Sequence, residues 1–298
     1  MSKMIIKKLI SLFLTLFFVS LIIFFVFQVL PGNPAEIILG TEADEAQVLA
    51  LERELGLDKP ILVRYANWIK DILKLNMGTS LKYQVPVKDL FFKKLPVTLY
   101  LTFFSLFLSL IIAIPLSIQI TAKSDKWYAS IITAITQLGI SIPSFWLAFL
   151  LIYLFAVKLG WFKTLSYNAM SGNFFQKLYN FFLPSLAIAI PNIATIIRYM
   201  QSAILDEINK DYVRTARMKG LLLKDILYKH VLRNALVPVI TIIGISITSS
   251  IGGLIVQSIS SRDFPLIQSV VFAVAFMVII INLIVDILYR IVDPRIRG

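Results

Sequence analysis

Apolar residues in this chain do not recur every third or fourth position, as they would on a helix lying half in water; they gather in six long runs parted by polar stretches. The runs extend from about Leu9 to Leu30, Pro96 to Thr121, Ala129 to Val157, Phe182 to Leu205, Ala235 to Ser258 and Leu266 to Val292. Each has the roughly 20 residues that a helix needs to cross a hydrocarbon core of about 30 Å at about 1.5 Å per residue. An all-α, polytopic membrane protein with six transmembrane helices is therefore predicted. The first run follows Lys3, Lys7 and Lys8 and leads into Pro31-Gly32-Asn33-Pro34 instead of a small-residue cleavage site. It reads as a retained span, not a signal peptide.

Three regions follow from the pattern: 1–30 with the first span, 31–94 as a loop, and 95–298 with the remaining five. The loop is the one soluble-looking stretch, with nine basic and nine acidic residues. Thr41 and Asp44 are spaced as a capping box for a helix ending at Gly56. Pro60 is placed to open a second helix with Leu62, Tyr65, Ile69, Ile72 and Leu73 on its apolar side. Within the spans, Pro143 and Pro191 remove backbone hydrogen bonds and mark candidate bends beside a path. Gly244, Thr248 and Gly252 lie four apart, so their face either packs closely against another helix or lines a path without filling it.

Composition narrows the chemistry. With 58% hydrophobic residues and a mean hydropathy of +0.83, the 298-residue chain is too apolar for a soluble fold. Its net charge of +12 does not indicate nucleic acid, because no basic stripe with interleaved aromatics appears outside the stretch between the fourth and fifth spans. The charge is placed by topology instead. Lys and Arg number fifteen in the segments proposed to be cytoplasmic and four in the short loops opposite, which puts both termini in the cytoplasm. Zero cysteines exclude thiol chemistry, and the single histidine, His230, leaves no multi-histidine metal centre. It reads as a surface residue.

The most distinctive polar stretch runs from Asp206 to Asn234, between the fourth and fifth spans, and carries seven basic residues. Asn209 or Asp211 is placed to cap a helix from about Tyr212 to Lys219, and Gly220 fits the left-handed position that ends it. Tyr212, Thr215, Ala216 and Lys219 then share one face, with Arg214 and Arg217 beside it. That face suits a partner's groove; an ordinary basic loop is the alternative.

The run Asp211-Tyr212-Val213-Arg214-Thr215-Ala216-Arg217-Met218-Lys219-Gly220, followed by His230-Val231-Leu232-Arg233-Asn234-Ala235-Leu236-Val237-Pro238, resembles the coupling loop of permease subunits from binding-protein-dependent ABC importers. It is similar in particular to the dipeptide, oligopeptide and nickel branch. The resemblance covers nearly the whole length, including Leu30-Pro31-Gly32-Asn33-Pro34-Ala35, Leu55-Gly56-Leu57-Asp58-Lys59-Pro60, Ser141-Ile142-Pro143-Ser144-Phe145-Trp146 and the closing Asp293-Pro294-Arg295-Ile296-Arg297. Arg214-Thr215-Ala216-x3-Gly220 occupies the family's E-A-A-x3-G pattern without its Glu, and Arg233 stands where members outside this branch carry proline. A further departure falls between Gly253 and Ser261, where about 15 to 20 residues of the family's pattern are missing, although the fifth span keeps about 33 Å of helix.

The resemblance implies a type I ABC importer permease-like fold in a bacterial cytoplasmic membrane. It also implies a non-catalytic subunit acting with a second homologous permease, two ABC ATPase subunits that hold ATP and magnesium, and an extracytoplasmic solute-binding protein. The 31–94 loop is then either a seat for that protein or a cap over the bundle. Asp211, Tyr212, Arg214, Thr215, Ala216, Arg217 and Gly220 are the expected ATPase-coupling residues, and Arg198, Asn192 and Asn282 the pathway candidates. Peptides are the expected cargo, with a nickel or metal chelate as alternative. No Gly-x-x-x-x-Gly-Lys-Ser/Thr motif is present, so the chain itself is not expected to bind ATP. An ion-coupled secondary transporter is the rival of another class; it needs an acidic residue near the membrane midplane, and Asp286 lies too close to one end.

Overall fold

The computed structural model describes residues 2–29, 34–40, 44–54, 56–163, 170, 172–259 and 263–292. Among them the regular elements are all helices, with one isolated antiparallel bridge between Thr79 and Pro86. Five helices are long and apolar enough to cross a membrane: α1 (Ser2–Val29), α5 (Val87–Ala122), α8 (Phe174–Ile208), α12 (Val237–Ile259) and α13 (Phe264–Val292). The remaining expected span is not one helix. It consists of α6 (Trp127–Ser141) and α7 (Ser144–Leu151), the latter continued by a π-helical stretch Ile152–Lys158, and the two parts are bent by 102°. Proline lacks an N–H and disfavours helical conformation in the residue before it. Ile142 and Pro143 accordingly sit in extended conformation, with ψ of 122° and 132°. The bend expected at Pro143 is thus a complete break.

The chain divides into two compact units. One comprises Val97–Ser249 with Ile284–Gly298. Its hub is α8, which starts from a capping box: the Asn173 side chain accepts from the Gln176 N–H at 2.9 Å, and the Gln176 side chain accepts from the Asn173 N–H at 3.0 Å. Ala187, Ala189 and Ala194 are buried and keep α8 slim on more than one side, and neighbours approach it closely. The Ser109 hydroxyl of α5 donates to the Ala189 carbonyl at 3.3 Å. A methyl added to Gly139 of α6 would come within 3.2 Å of the Ala194 methyl. Pro184 and Pro191 sit inside α8 without ending it, and the Thr195 hydroxyl donates to the Pro191 carbonyl at 2.9 Å. In α12 a methyl on Gly244 would lie 2.8 Å from Val285, so that glycine serves helix packing, whereas Gly252 and Gly253 face open space. Helix α12 continues unbroken to Ile259.

The other unit comprises Met1–Pro96 with Ser250–Leu283. Among the described residues it holds three short helices, α2 (Pro34–Leu39), α3 (Glu45–Glu54) and α4 (Ile61–Leu73), one more than the pattern predicts. Thr41 of the expected capping box lies outside the described residues. Gly56 ends α3 as expected, at φ +67°, with the Leu57 N–H returning to the Glu52 carbonyl at 2.8 Å. Pro60 stands just before α4. The covered side of α4 differs from the predicted one: Tyr65, Trp68, Ile69 and Ile72 are half-buried, while Leu62 and Leu73 stay 70% and 80% exposed. Phe24 meets Tyr65 at 5.3 Å between ring centroids and Trp68 at 5.8 Å, and Trp68 meets Phe272 at 5.4 Å. Each such contact adds about 0.5–1.5 kcal/mol beyond the area it buries. Three distant stretches of chain are held together by these rings.

A polar clasp reinforces them. Asp263 is 1% exposed; it accepts from the Ser80 hydroxyl at 2.5 Å, the Lys82 N–H at 3.2 Å and the Leu266 N–H at 3.2 Å, the last capping α13. The Ser269 hydroxyl donates to the Met77 carbonyl at 2.7 Å. Replacing Asp263 by Ala strands the buried Ser80 hydroxyl and the part-buried Lys82 N–H as well as the helix cap, and a loss of about 2–4 kcal/mol is expected as a lowered Tm of the detergent-solubilised protein. Adding Ser80→Ala to that variant should cost less than Ser80→Ala alone, because the serine has already lost its acceptor.

Candidate functional site

The polar stretch after α8 folds back on its end as α9 (Asp211–Met218), α10 (Leu223–Ile226), a π-helical stretch Leu227–Val231 and α11 (Leu232–Ala235), which leads into α12. The expected short helix, turn and second helix are present. The expected cap is not: Lys210 precedes α9 without a side-chain cap. Asn209 instead donates back to the Leu205 carbonyl at 3.0 Å, because it belongs to the end of α8. Asp211 is already the first helical residue and faces Arg214 at 3.8 Å, with both side chains exposed. At the other end Gly220 adopts φ +80° as predicted. Its N–H reaches the Arg217 carbonyl at 2.9 Å and the Leu221 N–H reaches the Ala216 carbonyl at 3.3 Å, the two bonds of a Schellman turn.

Helix α9 therefore has a root and a tip. Val213 is fully buried and Ala216 is 7% exposed; both belong to an apolar cluster with Met200, Ile204, Ile226, Leu227, Val231 and Ala235. Asp211, Arg214, Thr215, Arg217 and Lys219 are exposed. Two apolar side chains crown the turn: Met218 is 87% exposed and Leu222 is 72% exposed. The face drawn from spacing alone is thus split, with Thr215 and Lys219 turned outward, Ala216 inward and Tyr212 half-buried between them.

A carboxylate that the sequence reading did not single out explains where Tyr212 points. Glu207, in the last turn of α8, is 5% exposed. Its Oε1 accepts from the Tyr212 hydroxyl at 3.0 Å and from the Asn234 side-chain amide, and its Oε2 pairs with Lys210. Neither Glu207 nor Asn234 carries a spacing signal, since 27 residues separate them. Met218 does carry one, as a large apolar residue between Arg217 and Lys219, whereas Leu222 is hidden in the apolar run Leu221-Leu222-Leu223.

The pathway candidates are not gathered in this way. Arg198 and Asn192 both lie on α8, but six residues put them on different sides of the helix. Arg198 is exposed and has no ion pair among the described residues; Asn192 is half-buried. Asn282 is exposed on α13. His230 is exposed in the π-helical stretch, beside the Lys229–Asp225 pair at 3.3 Å. A cleft of about 410 Å³ lies between α5, α6 and α8, and its polar lining consists of Thr121, Ser124, Ser130, Thr133, Gln137 and Gln201, all uncharged.

Comparison with known proteins covers the chain almost end to end. Residues 1–102 match the N-terminal region of binding-protein-dependent transport system membrane components, and residues 105–298 match the binding-protein-dependent transport system inner membrane component. An oligopeptide transport system permease protein of Bacillus subtilis is 36% identical, with 94% of each chain aligned. A probable peptide ABC transporter permease of Sinorhizobium fredii is 32% identical over the full length of both chains. A glutathione transport system permease protein of Salmonella choleraesuis is 34% identical over all of this chain and 99% of its own. With both family models matched and full-length relatives above 30% identity, this chain belongs to the inner-membrane permease components of binding-protein-dependent transport systems.

Proposed function

We propose that the chain is the membrane-spanning subunit of an ATP-driven importer that carries peptides across the cytoplasmic membrane, and that α9 and its turn form the elbow through which ATPase subunits move it. The observation that carries this reading is the division of α9: a root seated among buried side chains and a tip that projects charged and apolar groups. Relatives named for peptide, oligopeptide and glutathione transport support the cargo. The cleft beside α8 is lined mainly by apolar groups, and the few hydroxyls and amides among them can pair with the donors and acceptors of an uncharged peptide backbone.

Within this reading the seven coupling residues divide their labour with Met218 and Leu222. Asp211, Arg214, Thr215 and Arg217 contact the ATPase groove, Met218 and Leu222 fill it, Tyr212 and Ala216 seat the elbow, and Gly220 makes its turn. Both termini and the elbow lie in the cytoplasm. A second related permease completes the path, a solute-binding protein delivers the peptide from outside, and ATP with magnesium is held by the two ATPase subunits alone. Arg198, Asn192 and Asn282 are residues of the path. The transporter alternates access by rigid tilting of helices.

The decisive experiment is co-purification. Met218→Glu with Leu222→Glu places charge where apolar groups enter a groove, and exposed anchors of this kind contribute about 2 kcal/mol or more. Recovery of ATPase subunits with the permease and peptide uptake should both fall by roughly thirtyfold or more, with insertion unchanged. Normal uptake would overturn the docking reading. Ala216→Glu acts at the root: it buries a charge against Val213 and its cluster, and several kcal/mol are expected to be lost from the elbow. Faster protease cleavage near Gly220 together with lost uptake would register that loss. Because the chain has no cysteine, Met218→Cys also provides a unique thiol, which should react with membrane-impermeant maleimide only after the cytoplasmic face is opened.

A further inference from the structure

Glu207 is nearly sealed from solvent, yet its carboxylate does not serve a single partner. It gathers the Tyr212 hydroxyl from α9, the Asn234 amide from α11 and the Lys210 ammonium from the link between α8 and α9. Asn234 Nδ2 also stands 3.5 Å from the Tyr212 oxygen, which closes the set into a ring. A buried carboxylate is costly unless its lone pairs are filled, and here they are filled from separate pieces of chain. Any relative movement of these pieces strips a charge-assisted hydrogen bond in a place with little access to water. The apolar contacts around them impose no such directional penalty, since burial of Val213, Ala216, Ile226 and Leu227 is indifferent to small slides.

The geometry has a mechanical meaning. Only Asn209 and Lys210 separate α8 from α9, and a two-residue link with no side-chain cap is a swivel unless something locks it. We propose that Glu207 is a positioning residue that locks α8, α9 and α11 into one joint, so that displacement of the elbow reaches α8 and the start of α12 instead of being absorbed at the link. The proposal rests on the docking reading above and adds where the displacement goes. Glu207 itself touches neither ATPase nor cargo; it decides whether an ATPase stroke becomes a helix stroke.

The test uses the whole transporter in proteoliposomes, with a labelled pool of di- to pentapeptides as probe, and reads uptake and ATP hydrolysis side by side. Glu207→Ala should leave the ATPase subunits bound and hydrolysis active while peptide taken up per ATP falls by roughly tenfold, the scale of a typical coupling between sites. Glu207→Gln keeps the shape and one acceptor but sets an amide against Lys210; a smaller fall of about threefold is expected, without loss of assembly. The cysteine-free chain allows a rescue. Tyr212→Cys and Asn234→Cys are added to Glu207→Ala, and a short reducible bis-thiosulfonate linker then replaces the carboxylate by a covalent strut. Uptake per ATP should return with the linker and be lost again with dithiothreitol, a reversal in the assembled complex that a purely structural role would not produce.

Unchanged uptake per ATP in Glu207→Ala, or a strut that restores nothing, overturns the joint. So does failure of both the Ala and Gln variants to assemble, because Glu207 would then serve folding alone. Failure of the docking reading looks different: the Met218→Glu and Leu222→Glu variant would keep its ATPase subunits whatever Glu207 does.

Discussion

Hydrocarbon offers a peptide group no hydrogen-bond partner, and that one deficit shapes this chain more than any side chain does. Long helices satisfy their own backbone, so the spans can be apolar all round and still be stable. The consequence is that exceptions stand out. At Ile142 and Pro143 the backbone leaves the helix altogether, freeing groups at the end of α6 and the start of α7. Such a break is tolerated in a membrane protein where protein or water replaces the lost partners, which marks the region as one beside a cavity or another chain. Among the described residues, other non-helical backbone includes stretches within the 31–94 loop, at 159–163 and around α9.

Within the unit that carries the elbow, α8 does two kinds of work along its length. Its middle is narrowed by alanines, and the cost of bringing helices close is met by direct backbone approach, as at Ser109 and Gly139. Its end carries Glu207, where packing gives way to directional bonds. The change of character along one helix is informative. Apolar contact makes α8 the place where neighbours pack; charge-assisted bonds make its last turn the place where neighbours are held in a fixed relation. The proposed joint draws on the second property, because stroke transmission needs a part that resists bending.

How much of this was legible in the sequence depends on the range of the interaction. The spans were legible because hydrophobicity over twenty residues is a sum that no single position can spoil. Gly220 was legible because a left-handed residue after a helix is a local demand that glycine meets. Two errors were also local, but they arose from competition between plausible roles. Asn209 looked like a cap for α9 and is occupied by α8, and the inward side of α4 includes Trp68 but not Leu62 or Leu73. What could not be read was the set of contacts that closes over long separations. Asp263 meets Ser80 across 183 residues and Glu207 meets Asn234 across 27, and neither pairing leaves a periodic trace. The pathway candidates share that difficulty, since a path through several helices is a property of their assembly. Arg198 and Asn282 are exposed on their helices, and no position along the chain says what they face.

The length of α8 has a consequence of its own. Thirty-five residues at about 1.5 Å each make an unbroken rod of about 52 Å, which overhangs a hydrocarbon core of about 30 Å. A rod that pivots near its middle swings its two ends in opposite directions, and a tilt of about 10° carries each end about 4.5 Å. That is close to the roughly 4.8 Å between neighbouring extended backbones in a sheet. In the tilting proposed above, a small push at one end of α8 would clear, at the other, a slot one peptide strand thick.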